Sequence, residues 1–139
     1  MNKHILLIDD SAEDAELAVR TIRKSDSSVK VTWIQTAQQT MDLISNYNDP
    51  LVDSESIDLV LLDIKMFELS GFDVLTKLRS RIFSKRIPIL MLSSSKIEKD
   101  IAKAYELGAN GYVQKPADYK EYNAMMTTLC QYWLRINKA

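Results

Sequence analysis

Apolar residues along this chain fall into five short runs, at 3–8, 29–34, 59–62, 87–92 and 111–113, separated by longer stretches in which they recur every three or four positions. Short apolar runs bounded by polar clusters read as strands, and the recurring pattern reads as amphipathic helix, here over 12–24, 37–47, 72–81, 96–107 and 119–137. The third and fourth runs are apolar throughout, which suits strands covered on both faces. Regular alternation of strand with helix predicts an α/β fold, a doubly wound (βα)5 sandwich on a parallel five-stranded sheet. Gly108 stands where the fourth helix should stop on a left-handed residue. In the last helix Tyr122, Met126, Leu129, Trp133 and Ile136 share helical spacing and are expected in the core, with Met125, Thr128, Tyr132 and Arg135 on the outer side. Residues 48–57, with Pro50, Asp49, Asp53 and Glu55, read as a long polar surface loop.

Composition narrows the function classes. With 46% hydrophobic and 27% charged residues in 139, the chain has enough apolar material for one core, and a single domain over 1–139 without an output domain is expected. A formal net charge of -1 gives no basic excess to hold a polyanion through counterion release, so nucleic acid is not an expected partner. Cys130 is the lone cysteine, which excludes an internal disulfide. The apolar stretch after Met1 is too short for a signal peptide and no run reaches the length of a membrane span; the expected compartment is the cytoplasm.

In an open parallel sheet, chemistry gathers at the carboxyl ends of the strands. Asp9 and Asp10 close the first run, Asp63 the third, Ser93 and Ser94 follow the fourth, and Lys115 follows the fifth. Singly, each has an ordinary reading: Asp9-Asp10-Ser11 as a helix cap, Asp63 as a turn residue, Lys115-Pro116 as a solvated turn. Together, three carboxylates at one edge raise each other's pKa unless a positive charge sits among them. A hard divalent ion such as Mg²⁺ answers that need, and a lysine with a serine hydroxyl completes a cradle for a phosphoryl group. His4, at the start of the first strand, has no ligand or nucleophile near it in sequence; Trp33 reads as core or rim; Arg79, Arg81, Lys85 and Arg86 read as solvated helix-end charges.

These residues, in this order on these elements, resemble those of the CheY-like response-regulator receiver domains of two-component systems. The resemblance covers the whole chain and implies the strand order 2-1-3-4-5. It implies that Asp63 is the phosphoacceptor, and that Mg²⁺ is held by Asp10, Asp63 and the backbone carbonyl of Lys65, with Asp9 acting through water. It further implies that Ser93, Ser94 and Lys115 bind phosphoryl oxygens and that Tyr112 is the aromatic switch. The Lys115-Pro116 bond is expected to be cis, because Lys115 must project back into the pocket while the chain turns sharply into the last helix. The implied donor is a sensor histidine kinase or a histidine phosphotransfer protein, and helix four, strand five and helix five form a face for weak homodimerisation. The long acidic loop and the Tyr132-Trp133-Leu134 ending resemble the single-domain receivers that partner bacterial phytochrome-type kinases. Phe67 stands where receivers usually have proline. An aspartyl phosphatase of the haloacid dehalogenase type would want a second Asp two residues after Asp63, where this chain has Lys65. A degenerate receiver would lack a member of the acidic pair, the acceptor or the lysine, and none is missing.

Overall fold

A computed structural model describes residues 2–46, 57–66, 70–80 and 86–138. Strands β1 (His4–Ile8), β2 (Lys30–Ile34), β3 (Leu59–Leu62), β4 (Ile89–Ser93) and β5 (Gly111–Gln114) alternate with helices α1 (Ala12–Ser25), α2 (Ala37–Asn46), α3 (Gly71–Arg79), α4 (Glu98–Glu106) and α5 (Tyr119–Cys130). The strands form one parallel sheet in the order β2-β1-β3-β4-β5, as the resemblance implied. The period of two along each strand divides the core. Leu6, Ile8, Val60, Leu62, Ile89 and Met91 face α3 and α4, while Ile5, Leu7, Leu59, Leu61, Leu90 and Leu92 face α1 and α5. With both faces covered, β3 is apolar at every position and β1 at every position after His4.

Element boundaries fall within a residue or two of the sequence reading, and the departures have local causes. The fourth strand begins at Ile89, after Pro88, which has no N–H for the ladder and contributes only its carbonyl, to Val60 N–H at 2.9 Å. Gly108 has φ 106° and stops α4 as expected. The loop at 48–56, Phe67, Arg81 and Lys85 lie outside the described residues. The Lys115–Pro116 bond is trans, contrary to the cis bond expected from a sharp turn into the last helix. Lys115 N–H pairs with Ser93 carbonyl at 2.7 Å and its side chain reaches the sheet edge from extended backbone, so no reversal of the chain is needed there.

The last helix corrects the expected core stripe. After Cys130 the backbone loosens into a π turn, Gln131–Ile136, and each residue beyond it rotates out of α-helical phase. Leu134 is buried in place of Ile136, which is 62% exposed; Trp133 is half-buried, and Cys130 joins Tyr122, Met126 and Leu129 inside. Arg135 pairs with Asp26 and so ties the turn to the end of α1.

Arg79 is also not the solvated charge expected of it. Half-buried, it donates Nε to Gly108 carbonyl at 2.8 Å, Nη1 to Ile87 carbonyl at 3.0 Å and Nη2 to Asn110 Oδ1. Asn110 Oδ1 in turn accepts Ile89 N–H at 2.8 Å. One planar fork therefore joins α3 to both ends of the α4–β5 corner. Arg79→Ala should lower stability by about 2 kcal/mol, since two half-buried carbonyls and the Asn110 side chain lose a charged donor. Arg79→Lys should recover little, because an ammonium cannot span the fork. Urea unfolding checks this; a change within about 0.5 kcal/mol, usual for a solvated side chain, would contradict it.

Candidate functional site

The ladder continues one residue past three strands and pins the residues that carry the chemistry. Asp9 N–H donates to Ile34 carbonyl at 3.1 Å, Asp63 N–H to Ile8 carbonyl at 3.1 Å, and Lys115 N–H to Ser93 carbonyl at 2.7 Å. Trp33 adds a further clamp, its Nε1 donating to Asp9 carbonyl at 2.8 Å. Asp9 is 3% exposed and its Oδ1 accepts Ser11 N–H at 2.9 Å. Ser11 caps α1 by accepting Asp14 N–H, so the capping reading of this corner holds alongside the chemical one.

Asp9, Asp10 and Asp63 converge: one carboxylate oxygen from each lies within 4.8 Å of the others. Burial pushes Asp63 up to about 6, with the charges of Asp9 and Asp10 adding to it and Lys115 opposing. Asp9 is raised as well, by burial first, against the pull of Ser11 N–H and Lys115. Burial depresses Lys115, but the charges of Asp63, Asp9 and Asp14 outweigh it and hold the ammonium above its ordinary value. One lysine thus faces several carboxylates, a donor set short of positive charge that suits a hard divalent cation.

Ser93, 2% exposed, ends β4 with its Oγ accepting Ser95 N–H at 3.1 Å. Ser95 Oγ donates to Asp100 Oδ2 at 2.8 Å, and Tyr112 hydroxyl donates to Ser95 carbonyl at 2.8 Å. The hydroxyl after β4, the following loop and Tyr112 are therefore one connected unit. Ser94 is exposed beside it. Lys65 is also exposed, and its N–H bonds the Asp63 carboxylate. His4 is buried away from this edge, sharing a 2.6 Å hydrogen bond between Nε2 and Thr32 Oγ1. Sequence reasoning missed Asp14, whose Oδ2 lies 3.2 Å from Lys115 Nζ; its place one helical turn after Asp10 was the available signal.

An acid raised by burial costs stability when ionised. The unfolded value of Asp63 is near 3.8 and the folded one about 6, so in metal-free protein the penalty is absent below about pH 4, grows as pH rises through 6, and is complete at 7.5. Without divalent metal at pH 7.5, Asp63→Asn should be more stable than wild type by about 1 kcal/mol, the full shift being reduced by solvent screening at a half-exposed carboxyl. The advantage should vanish toward pH 4. Paired chemical-denaturation curves across this range measure it, and an Asn variant less stable at pH 7.5 would reverse the sign.

A parallel five-stranded sandwich that gathers a carboxylate triad, a strand-end hydroxyl and a lysine at the carboxyl edge defines the CheY-like receiver class. The chain belongs to the response regulator receiver domain family, whose sequence profile matches residues 5–127. It is a receiver of two-component signalling. It is 27% identical over 132 residues to response regulator Rcp1 of Synechocystis sp., spanning 95% of this chain and 89% of that protein. The Mn²⁺-bound structure of Rcp1 superposes with TM-score 0.83 at 26% identity, covering 98% of this chain and 97% of that one. Phosphorylated RcpA, a cyanobacterial phytochrome response regulator, superposes with TM-score 0.87 at 26% identity, over 99% and 98% of the two chains. The bacteriophytochrome response regulator RtBRR is 34% identical, with TM-score 0.73 over 99% of this chain and 84% of its own.

Proposed function

We propose that Asp63 accepts a phosphoryl group from a phosphohistidine of a sensor histidine kinase or phosphotransfer protein, and that this switches the α4–β5–α5 face. The convergence of Asp9, Asp10 and Asp63 within 4.8 Å beside Lys115 carries this reading. Asp10, Asp63 and the Lys65 carbonyl would hold Mg²⁺, with Asp9 acting through water; Mn²⁺ in Rcp1 supports a divalent site. Bound there, the cation supplies charge neutralisation for an in-line transfer. An Asp63 carboxylate oxygen attacks phosphorus as the phosphorus–nitrogen bond to histidine breaks and the imidazole leaves with the electron pair. Lys115, Ser93 and Ser94 then bond phosphoryl oxygens, and the loop through Ser95 transmits that contact to Tyr112. Later hydrolysis at the same site, catalysed by the domain itself, returns the resting state. The phytochrome regulators among the relatives favour a phytochrome-type kinase as donor.

The reading places the protein in the cytoplasm as a single domain over 1–139, with no nucleic-acid partner. No helix among the described residues is long and apolar enough to cross a membrane. Trp33, bonded to the Asp9 carbonyl, is a built-in reporter. Adding beryllofluoride with Mg²⁺ should change its fluorescence in a Trp133→Phe background, and Asp63→Asn should remove the response; a flat signal at saturating concentrations rejects the reading.

Output would run through self-association or docking on the same face. Ile97 at the N-cap of α4, Tyr105 on α4, Tyr119 on α5 and Tyr132 on the π turn stand exposed, and Met125, Tyr132 and Trp133 line an apolar groove beside Val113 of β5. A two-fold contact there would pair this patch with itself. A weak dimer that tightens several-fold with beryllofluoride is expected, and Tyr132→Glu should abolish it. Sedimentation velocity decides, a monomer under all conditions to high micromolar concentration being the contrary result.

A further inference from the structure

Among the described residues Lys115 is the cation of the site, yet its shortest ion pair is with a carboxylate outside the converging triad. Its Nζ lies 3.2 Å from Asp14 Oδ2 and 3.5 Å from Asp9 Oδ2, whereas Asp63 acts on it through charge alone. Asp14 occupies the first turn of α1, where a carboxylate complements the helix dipole and needs no further explanation. Ser11 already caps that turn, however, and the Asp14 side chain reaches across to a residue 101 positions away. It is also the solvent-side partner: its side chain is 52% exposed, against 14% for Lys115 and 4% for Asp9.

We infer that Asp14 is the resting counter-ion of Lys115, a positioning residue that competes with the phosphoryl group for the ammonium. This rests on the reading of Asp63 as phosphoacceptor. An ammonium is a point charge on a flexible stem, so it can turn from one anion to another. To bond a phosphoryl oxygen at Asp63, Lys115 must leave Asp14, and Asp14 then faces solvent. Every bit of stability in the resting pair is subtracted from the phosphorylated state. Exposed ion pairs are weak, so the competition amounts to a several-fold factor and not to orders of magnitude. A receiver with a neutral residue at this position would hold its phosphoryl group more tightly.

The test is the affinity for beryllofluoride at saturating Mg²⁺ of four proteins: wild type, Asp14→Asn, Lys115→Met and the double variant. Asp14→Asn should tighten binding about 3- to 5-fold when Lys115 is present. The same change should alter it by less than about 1.5-fold when Lys115 is absent, because the coupling between contacting residues is then removed. The gain should shrink between about 0.1 and 0.5 M salt. No tightening, or an equal factor with and without Lys115, overturns the inference, the latter outcome being plain long-range charge. If Lys115→Met binds too weakly to measure, the crystal structure of the wild-type beryllofluoride complex decides. Lys115 Nζ beyond about 4 Å from Asp14 supports the inference, and a retained ion pair overturns it. Wild type that does not bind beryllofluoride, or Asp63→Asn that binds it equally, overturns the acceptor reading itself and this inference with it. That result is distinct from a wild type that binds while Asp14→Asn changes nothing.

Discussion

Gly71→Ala should lower the thermal midpoint by at least about 10 °C and loosen the site, although alanine is the better helix former by about 1 kcal/mol. Gly71 opens α3, where its N–H donates to Ile64 carbonyl at 2.8 Å. A Cβ there would stand 2.0 Å from Asp63 carbonyl oxygen, 2.8 Å from Ile64 Cα and 2.9 Å from Asp63 carbonyl carbon. All three are backbone atoms, so no rotamer change relieves the overlap, and overpacking of this kind costs about 3 kcal/mol or more. The displaced segment follows β3, where Asp63 N–H holds Ile8 carbonyl; the Asp63 carboxylate would therefore move with it. Helix propensity and close approach predict opposite signs, which makes the variant decisive. Circular dichroism melts with and without Mg²⁺ measure it, and a midpoint at or above that of wild type would show that the chain can part there without loss.

The alternation of apolar runs with helical stretches exposed the sheet and its helices because strands buried on both faces leave a continuous apolar signature. The strand-end residues were legible for the same reason: once the strands were placed, Asp9, Asp10, Asp63, Ser93 and Lys115 had to share one edge. What the sequence concealed depended on backbone detail or on side chains far apart in the chain. The π turn at Gln131–Ile136 leaves no compositional trace, and the assumption of unbroken α-helical phase therefore buried Ile136 and missed Leu134. Arg79 sits among basic residues at a helix end, where solvation is the usual outcome; its acceptors at Gly108 and Asn110 are near it only after the sheet forms. The cis bond at Pro116 was expected from an assumed sharp turn after Lys115, and the trans chain already delivers Lys115 to the edge. Asp14 was passed over because a carboxylate at a helix start is ordinary; its partner Lys115 lies 101 positions away.

Asp63→Asn should abolish covalent phosphorylation, the largest effect expected of any single substitution here. Asp9 is nearly closed to solvent, with one carboxylate oxygen accepting Ser11 N–H and the other beside Lys115, which suits an electrostatic role and not a nucleophile. Asp63 is half-buried at the end of the central strand, and its carboxylate is held by Lys65 N–H with Asp9, Asp10 and Lys115 around it. Asparagine keeps the shape and removes the anionic nucleophile, so the fold survives while the reaction has no acceptor. The direct measurement is intact mass after incubation with acetyl phosphate and Mg²⁺. Wild type should gain one phosphoryl group, acid-stable and base-labile as an acyl phosphate is, and Asp63→Asn should gain none. An Asp63→Asn protein that acquires a single base-labile phosphoryl group at full yield would contradict the account.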